Sequence, residues 1–139
     1  MSEKSNLKSA WVTSWNRQDK PWGYEMIWSS FISCHGKILF LKEGHRTSLK
    51  FNNRKRESLL VLSGKVRAFF GDELCLKRKN SPTLSEEILE PGMILNVQSE
   101  CPYRLVGLED SQIIEIGDWL DDKPNRIEDD YGRESSKIA

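Results

Sequence analysis

Few side chains in this sequence can do chemistry, and they do not cluster along the chain. There are two histidines, His35 and His45, and three cysteines, Cys34, Cys75 and Cys101. The run Ser48–Phe51 reads as a strand, and residues two apart on a strand point to the same face. Ser48, Lys50 and Asn52 therefore present a hydroxyl, an ammonium and an amide in one direction. Such a set can hydrogen-bond a polar ligand, with the lysine holding an anion or a developing negative charge. It equally describes a satisfied polar patch in a core. Arg46, Arg104 and Arg133 carry guanidinium forks that grip phosphate, or else they pair with Glu128, Asp129 and Asp130. Asn53-Arg54-Lys55-Arg56 is either an ordinary charged loop or a mouth that draws in anions.

Much other chemistry is excluded. The cysteines are odd in number and form no CxxC or Cys/His group, so they read as buried or idle thiols of a reducing compartment. No P-loop, dinucleotide fingerprint, nucleophile elbow or HExxH motif occurs. Asp121, Asp122, Glu128, Asp129 and Asp130 lack EF-hand spacing and are interrupted by Pro124. The 21 acidic residues balance 21 basic ones, so no overall field attracts nucleic acid. No stretch approaches the roughly 20 apolar residues of a membrane span, and Met1 to Lys8 lack a signal-peptide core. The expected setting is the cytoplasm, without nucleic-acid or membrane partners.

The elements that must position these groups are strands. A chain of 139 residues suits one domain with its own core. Short apolar or alternating runs occur at Tyr24–Trp28, Gly36–Lys42, Ser48–Phe51, Ser58–Leu62, Lys65–Phe70, Glu87–Leu89, Ile94–Val97, Tyr103–Val106 and Gln112–Ile116. Turn signals such as Glu43-Gly44, Ser63-Gly64, Gly71-Asp72 and Pro91-Gly92 separate them. Many short strands without helical period predict an all-β sandwich or barrel. Ser58–Phe70 reads as a hairpin about Ser63-Gly64. Lys77–Ser85 reads as a loop, and Ala10–Asn16 as either a short helix or an arm lying on the barrel. The acidic tail should run along the outside. Trp22, Tyr24 and Trp28 suit a core or interface, or a platform on which a sugar stacks.

Several motifs resemble one family. The cupin pattern G(X)5HXH(X)4E(X)6G fits from Gly44 to Gly64, its histidine positions falling on Lys50 and Asn52 and its glutamate on Glu57. Cys101-Pro102-Tyr103-Arg104 is similar to the family's second motif and puts Tyr103 at the third histidine position. Lys20-Pro21-Trp22-Gly23-Tyr24-Glu25, Gly44-His45-Arg46-Thr47-Ser48-Leu49 and the segment Arg126 to Arg133 resemble stretches of type II phosphomannose isomerases. The resemblance implies a single cupin double-stranded β-helix, or jelly-roll barrel, over residues 20–133. An N-terminal arm would occupy 1–19 and a flexible tail 134–139.

It also implies an aldose–ketose isomerase of mannose 6-phosphate. The family normally holds a divalent metal such as zinc, manganese or iron, but three of the four ligand positions depart from the pattern. Lysine repels a cation, amide and phenol are poor ligands, and His45 faces away by strand parity. No metal cofactor is therefore expected. In its place Lys50 and Glu57 would form an ion pair across the barrel and serve as electrophile and base, with Ser48, Asn52, Tyr103, Arg104 and Arg133 binding substrate. The expected partner is a small molecule, a sugar phosphate or sugar nucleotide. The alternatives are a non-catalytic cupin that binds a sugar or anion or assembles with a partner, and a metal-free sugar-nucleotide isomerase or epimerase with Tyr103 as base. Exposed strand edges and the two tryptophans of the arm suggest a homodimer.

Overall fold

The computed structural model describes residues 7–29, 33–77, 83–118 and 123–128. Among them lie the strands β1 (Asn16–Lys20), β2 (Gly23–Ser29), β3 (Cys34–Leu41), β4 (Leu49–Phe51), β5 (Glu57–Ser63), β6 (Val66–Phe70), β7 (Ser85–Leu89), β8 (Ile94–Val97), β9 (Tyr103–Gly107), β10 (Ser111–Asp118) and β11 (Asn125–Glu128), with a short 3-10 helix at Glu73–Lys77. They form two antiparallel sheets, one ordered β1-β2-β3-β10-β5-β8 and the other β11-β4-β9-β6-β7. The sheets face each other and close a jelly-roll barrel, so the all-β fold class expected from the strand pattern is the one observed. No helix among the described residues is long and apolar enough to cross a membrane.

Period-two alternation decides which side chains enter the barrel. On β5, Glu57, Leu59 and Val61 are buried while Leu62 is about half exposed. The inward residues change character along the barrel axis, and the strand register keeps the change in step. Leu39, Ile113 and Val61 lie side by side across β3, β10 and β5, as do Lys37, Glu115 and Leu59, and then His35, Gly117 and Glu57. One half of the barrel is thus a dry plug of Leu41, Val61, Val66, Ala68, Leu89, Leu95, Leu105 and Ile113. Burial of each of these valine, leucine and isoleucine side chains stabilises the fold by about 1.5–3 kcal/mol. The other half is lined with charge.

Three local expectations change. Ser58–Phe70 is not a hairpin: β5 pairs with β10 and β8, whereas β6 pairs with β9 and β7. Ser63-Gly64 instead carries the chain from one sheet to the other. Residues 16–19, read as part of the arm, join Lys20 in an edge strand on β2. The tail supplies β11, which pairs with β4 across an irregular register. None of the three cysteines forms a disulfide.

Gly64 makes the sheet-to-sheet crossing possible. Its φ is 88°, and a Cβ there would lie 2.5 Å from the Asp110 carbonyl oxygen and collide with Ser111. Gly64→Ala is expected to lower the melting temperature by roughly 5–10 °C, since a strained backbone costs on the order of 1–3 kcal/mol. A thermal melt within about 1 °C of the parent would show that the crossing tolerates a side chain.

Candidate functional site

The charged half of the barrel encloses a cavity of about 160 Å³. Five basic residues, Lys20, Lys37, Lys50, Lys55 and Arg126, and three acidic ones, Glu25, Glu57 and Glu115, line it together with Trp22, Ser48, Asn52 and Tyr103. Both sheets contribute. β4, with the residues flanking it, brings Ser48, Lys50 and Asn52 to one side, and β9 brings Tyr103 directly beside Lys50. From the opposite sheet β3, β5 and β10 bring Lys37, Glu57 and Glu115 to the wall, and His35 on β3 touches both carboxyls.

Glu57 is the hub. Its Oε1 accepts hydrogen bonds from Asn52 Nδ2 at 3.0 Å and from the Tyr103 hydroxyl at 2.9 Å. Its Oε2 lies 3.5 Å from Lys55 Nζ and 3.9 Å from His35 Nε2. His35 in turn meets Glu115 Oε2 at 2.7 Å. Gly117 stands between His35 and Glu57 in the register, and a Cβ there would come within 2.9 Å of His35 Cε1 and 3.3 Å of Glu57 Cγ. Its missing side chain is what lets imidazole and carboxyl approach each other.

The two buried carboxyls are driven in opposite directions. Burial, the nearby charge of Glu115 and a hydrogen bond with it push Glu57 above the usual carboxylate range, against the pull of Lys55 and Lys50. Burial also opposes the charge on Glu115, but its hydrogen bond from His35 and the field of Lys37 outweigh this and hold it well below that range. Paired acids whose environments separate their affinities for a proton are a recurring acid–base arrangement. Burial, with the carboxylates of Glu57 and Glu115, keeps the Tyr103 phenol protonated far above its ordinary range, which disfavours a tyrosinate base.

The cations divide into paired and unpaired. Lys37 Nζ lies 3.3 Å and Lys20 Nζ 3.7 Å from Glu25 Oε1. Burial opposes the Lys37 charge, yet Glu115 and Glu25 prevail and raise its affinity for the proton. The ion pair expected between Lys50 and Glu57 does not form, because Asn52, Tyr103 and Lys55 already occupy the Glu57 oxygens. Lys50 Nζ instead lies 5.5 Å from the centre of the Tyr103 ring. It has no hydrogen bond or ion pair among the described residues. The residue is half-buried, and desolvation lowers its pKa against the pull of Glu57 and Glu115. Arg126 Nε is likewise buried without a hydrogen-bond partner among the described residues.

Of the residues singled out in the sequence, Ser48, Lys50, Asn52, Glu57 and Tyr103 meet in this cavity. Arg104 does not join them: its neighbour Tyr103 faces inward, so alternation turns Arg104 to the outer face. There its Nε donates to the Thr47 carbonyl oxygen at 2.9 Å, and Nη1 lies 3.5 Å from Glu128. Arg133 lies outside the described residues. Arg46 is exposed, and His45 faces the Glu43 carbonyl oxygen, away from the cavity. Trp22 is buried at the cavity wall, whereas Tyr24 stacks on Phe40 and Trp28 is exposed.

Sequence reasoning gave Glu25, His35, Lys37, Glu115 and Arg126 no place in the cavity, and it raised Lys55 only as part of a basic run that could draw in anions. The signal was parity. Once Leu39 and Leu41 are inward, Lys37 and His35 follow on the same face, and Ile113 brings Glu115 with it.

A divalent metal fits this cavity poorly. At the positions where the resembled family places its ligands, Lys50 brings an ammonium, while Asn52 and Tyr103 aim N–H and O–H donors at Glu57. A different trio, His35, Glu57 and Glu115, sets three possible ligand atoms within 4.8 Å of one another. There the His35–Glu115 contact and the Lys55 ammonium already satisfy the charge. Lys37 and Lys50 add further positive potential.

No family model matches this sequence, and no curated protein is significantly similar to it. Solved structures are similar in fold. KdgF from Halomonas sp. is 16% identical with a TM-score of 0.62, over 76% of this chain and 86% of that one. Oxalate decarboxylase from Bacillus subtilis is 14% identical with a TM-score of 0.63, over 78% of this chain and 30% of that one. The vicilin from Solanum melongena is 16% identical with a TM-score of 0.60, over 73% of this chain and 27% of that one. The chain thus spans most of KdgF but less than a third of the other two. These likenesses establish the cupin fold, which is shared by enzymes and by storage globulins.

Glu57 also sets a pH dependence. A carboxyl whose folded pKa is raised stabilises the fold most below its unfolded value, near 4.5, and that contribution is lost as pH rises through the folded pKa. Glu57→Gln mimics the neutral acid and keeps an oxygen for Asn52 and Tyr103. Its melting temperature is therefore expected to rise relative to the parent from about pH 4.5 upward, by a few degrees, and then to level off. A difference that stays constant from about pH 4 to pH 8 would show that Glu57 is an ordinary carboxylate.

Proposed function

We propose that this cupin barrel binds a small hydroxylated anion, of the sugar-phosphate or sugar-acid class, without a resident metal. The observation that carries the reading is the Lys50 ammonium, set inside the cavity with no ion-pair or hydrogen-bond partner among the described residues. Arg126 Nε, buried and also without a hydrogen-bond partner, adds a second donor. With five cations facing three carboxyls, the lining carries a positive excess even when Glu57 is ionised. It carries more when Glu57 is the neutral acid. Ser48 and Trp22 supply a hydroxyl and an apolar wall, as a sugar ring requires.

Size narrows the class. The cavity of about 160 Å³ is close to the roughly 150 Å³ that takes up a benzene-sized molecule. It suits a single ring or a short acid, and a sugar nucleotide would leave its nucleotide outside. The vicilin from Solanum melongena holds different anionic ligands in structurally similar pockets, and that precedent supports an anion in a pocket of this fold.

A second reading is the aldose–ketose isomerisation implied by the resemblance to type II phosphomannose isomerases. It is favoured by the divergence of Glu57 and Glu115 in proton affinity. The chemistry moves a proton between adjacent carbons. It needs one group to take and return that proton and another to hold the enediolate oxygen. The Glu57–Glu115–His35 cluster would serve the first task and Lys50 the second.

Thermal shift against hexose 6-phosphates, hexuronates, inorganic phosphate and neutral hexoses tests the binding reading. The expected outcome is stabilisation by one of the organic anions and not by its neutral counterpart, approaching about 2.7 kcal/mol at a hundredfold excess over Kd. Lys50→Met is expected to weaken that binding by roughly tenfold or more, the loss of about 1.4 kcal/mol or more from one charged contact. Equal stabilisation by neutral hexoses, or none by any anion, would sink it. A coupled assay with mannose 6-phosphate tests the second reading separately: absence of turnover removes the isomerase and leaves the binder.

A further inference from the structure

Of the lysines that line the barrel cavity, Lys20, Lys37 and Lys55 are committed to carboxylates. Lys37 and Lys20 lie 3.3 and 3.7 Å from Glu25, and Lys55 lies 3.5 Å from Glu57. Lys50 differs: among the described residues its Nζ meets only the Tyr103 ring, 5.5 Å from its centre. An ion pair holds an amine as ammonium, whereas an amine without one can give up a proton and become a nucleophile. The surroundings of Lys50 favour that change. Desolvation disfavours its charged form and the Lys37 ammonium works in the same direction, against Glu57, Glu115 and Glu25. A lysine desolvated beside another cation is primed to attack a carbonyl group.

The strand register indicates what else the carbonyl compound carries. Lys50 on β4 stands opposite Tyr103 on β9 and opposite Arg126 on β11. Directly opposed residues of antiparallel strands have their Cα atoms about 4.5–5.5 Å apart. All three residues line the cavity. Arg126 Nε is buried without a hydrogen-bond partner among the described residues, so a donor for an anion stands on one side of the amine. On the other side the Tyr103 hydroxyl donates to Glu57. This row suits a molecule with a carboxylate at one end and a carbonyl within a few bonds of it. A cavity of about 160 Å³ has room for one of that size.

We infer that Lys50 forms a covalent imine with the carbonyl group of a small carboxylate, an oxo acid or the open-chain form of a sugar acid, whose carboxylate Arg126 holds. The inference rests on the anion-binding reading of the cavity and adds a bond to it. The lone pair of the neutral amine attacks the carbonyl carbon, the C=O π pair moves to oxygen, and a proton passes from nitrogen to oxygen to give a carbinolamine. Its hydroxyl is protonated and leaves as water while the nitrogen lone pair closes the C=N bond. Counted from the ammonium, two N–H hydrogens and the carbonyl oxygen depart as water, and the iminium keeps the positive charge. No oxidant or reductant is needed. The hydrogen-bonded Tyr103 and Glu57 line the same cavity and can relay the proton. An iminium draws electrons from the adjacent carbon, so the cavity gains an electron sink without a metal ion.

The test incubates the full chain with pyruvate or glucuronate and cyanoborohydride, which reduces an imine to a stable secondary amine. Intact mass and a peptide map then locate the product. Lactate and gluconate, which lack the aldehyde or keto group, are the controls, and all four acids are also measured by thermal shift. At about pH 7 ordinary lysines, with a pKa of about 10.4, are almost wholly protonated, and heat-unfolded chain gives their background labelling. The expected result is a single adduct on Lys50 with pyruvate or glucuronate and with neither control. Which of the two reacts tells an oxo acid from a sugar acid. Lys50→Arg keeps the charge and is expected to lose the adduct while retaining the thermal shift. The peptide map of the parent chain decides the matter even where the variant does not fold. Stabilisation by these anions with no adduct, or with labelling spread over lysines as in the unfolded chain, overturns the imine and leaves the binding reading standing. Absence of both stabilisation and adduct with all four acids overturns the two together.

Discussion

A carboxyl group placed in a dry barrel must find donors for its oxygens or take up a proton, and the arrangement of this protein's cavity follows from how Glu57 meets that demand. Its side chain stands on the six-stranded sheet, while Asn52 and Tyr103, which donate to it, belong to the opposite wall. The bonds that satisfy one acid therefore also tie the sheets together across the polar half of the barrel. In the other half, leucine, valine and isoleucine do the same by packing. Polar and apolar halves are thus two ways of joining the same pair of sheets, and the strand register keeps them from mixing.

The lysines give the cavity a different character from a metal centre. A metal ion imposes directions on its ligands, whereas an ammonium is a compact point charge on a flexible stem. Lys20 and Lys37 share Glu25, and Lys55 attends Glu57. Lys50 stays beside the Tyr103 ring with its charge uncommitted. Under the proposed binding role, such a site would select first by charge and size and only then by hydrogen-bond geometry.

The strand sequence made much of this legible. Nine of the strands stand close to where apolar runs and turn residues place them, and the spacing of Ser48, Lys50, Asn52 and Glu57 brought all four into one hollow. What it hid has physical causes. β1 is built from Asn16, Arg17, Gln18, Asp19 and Lys20, an edge strand with no apolar face to announce it. β11 pairs only through a broken register. The Ser63-Gly64 turn has hairpin chemistry, but the direction a chain takes after a turn depends on which sheet offers a partner. His35 stayed hidden because it lies just before the run Gly36–Lys42, and Glu115 because it sits between Ile114 and Ile116 in a run that reads as apolar. Arg104 shows the converse: a residue next to an inward one in sequence is its opposite in space.

The cavity wall includes Lys20, from the first strand, and Pro124 and Arg126, around the start of the last. The wall is therefore assembled from segments far apart in the chain that meet only once both sheets are complete. A partly folded barrel consequently has no finished cavity to offer.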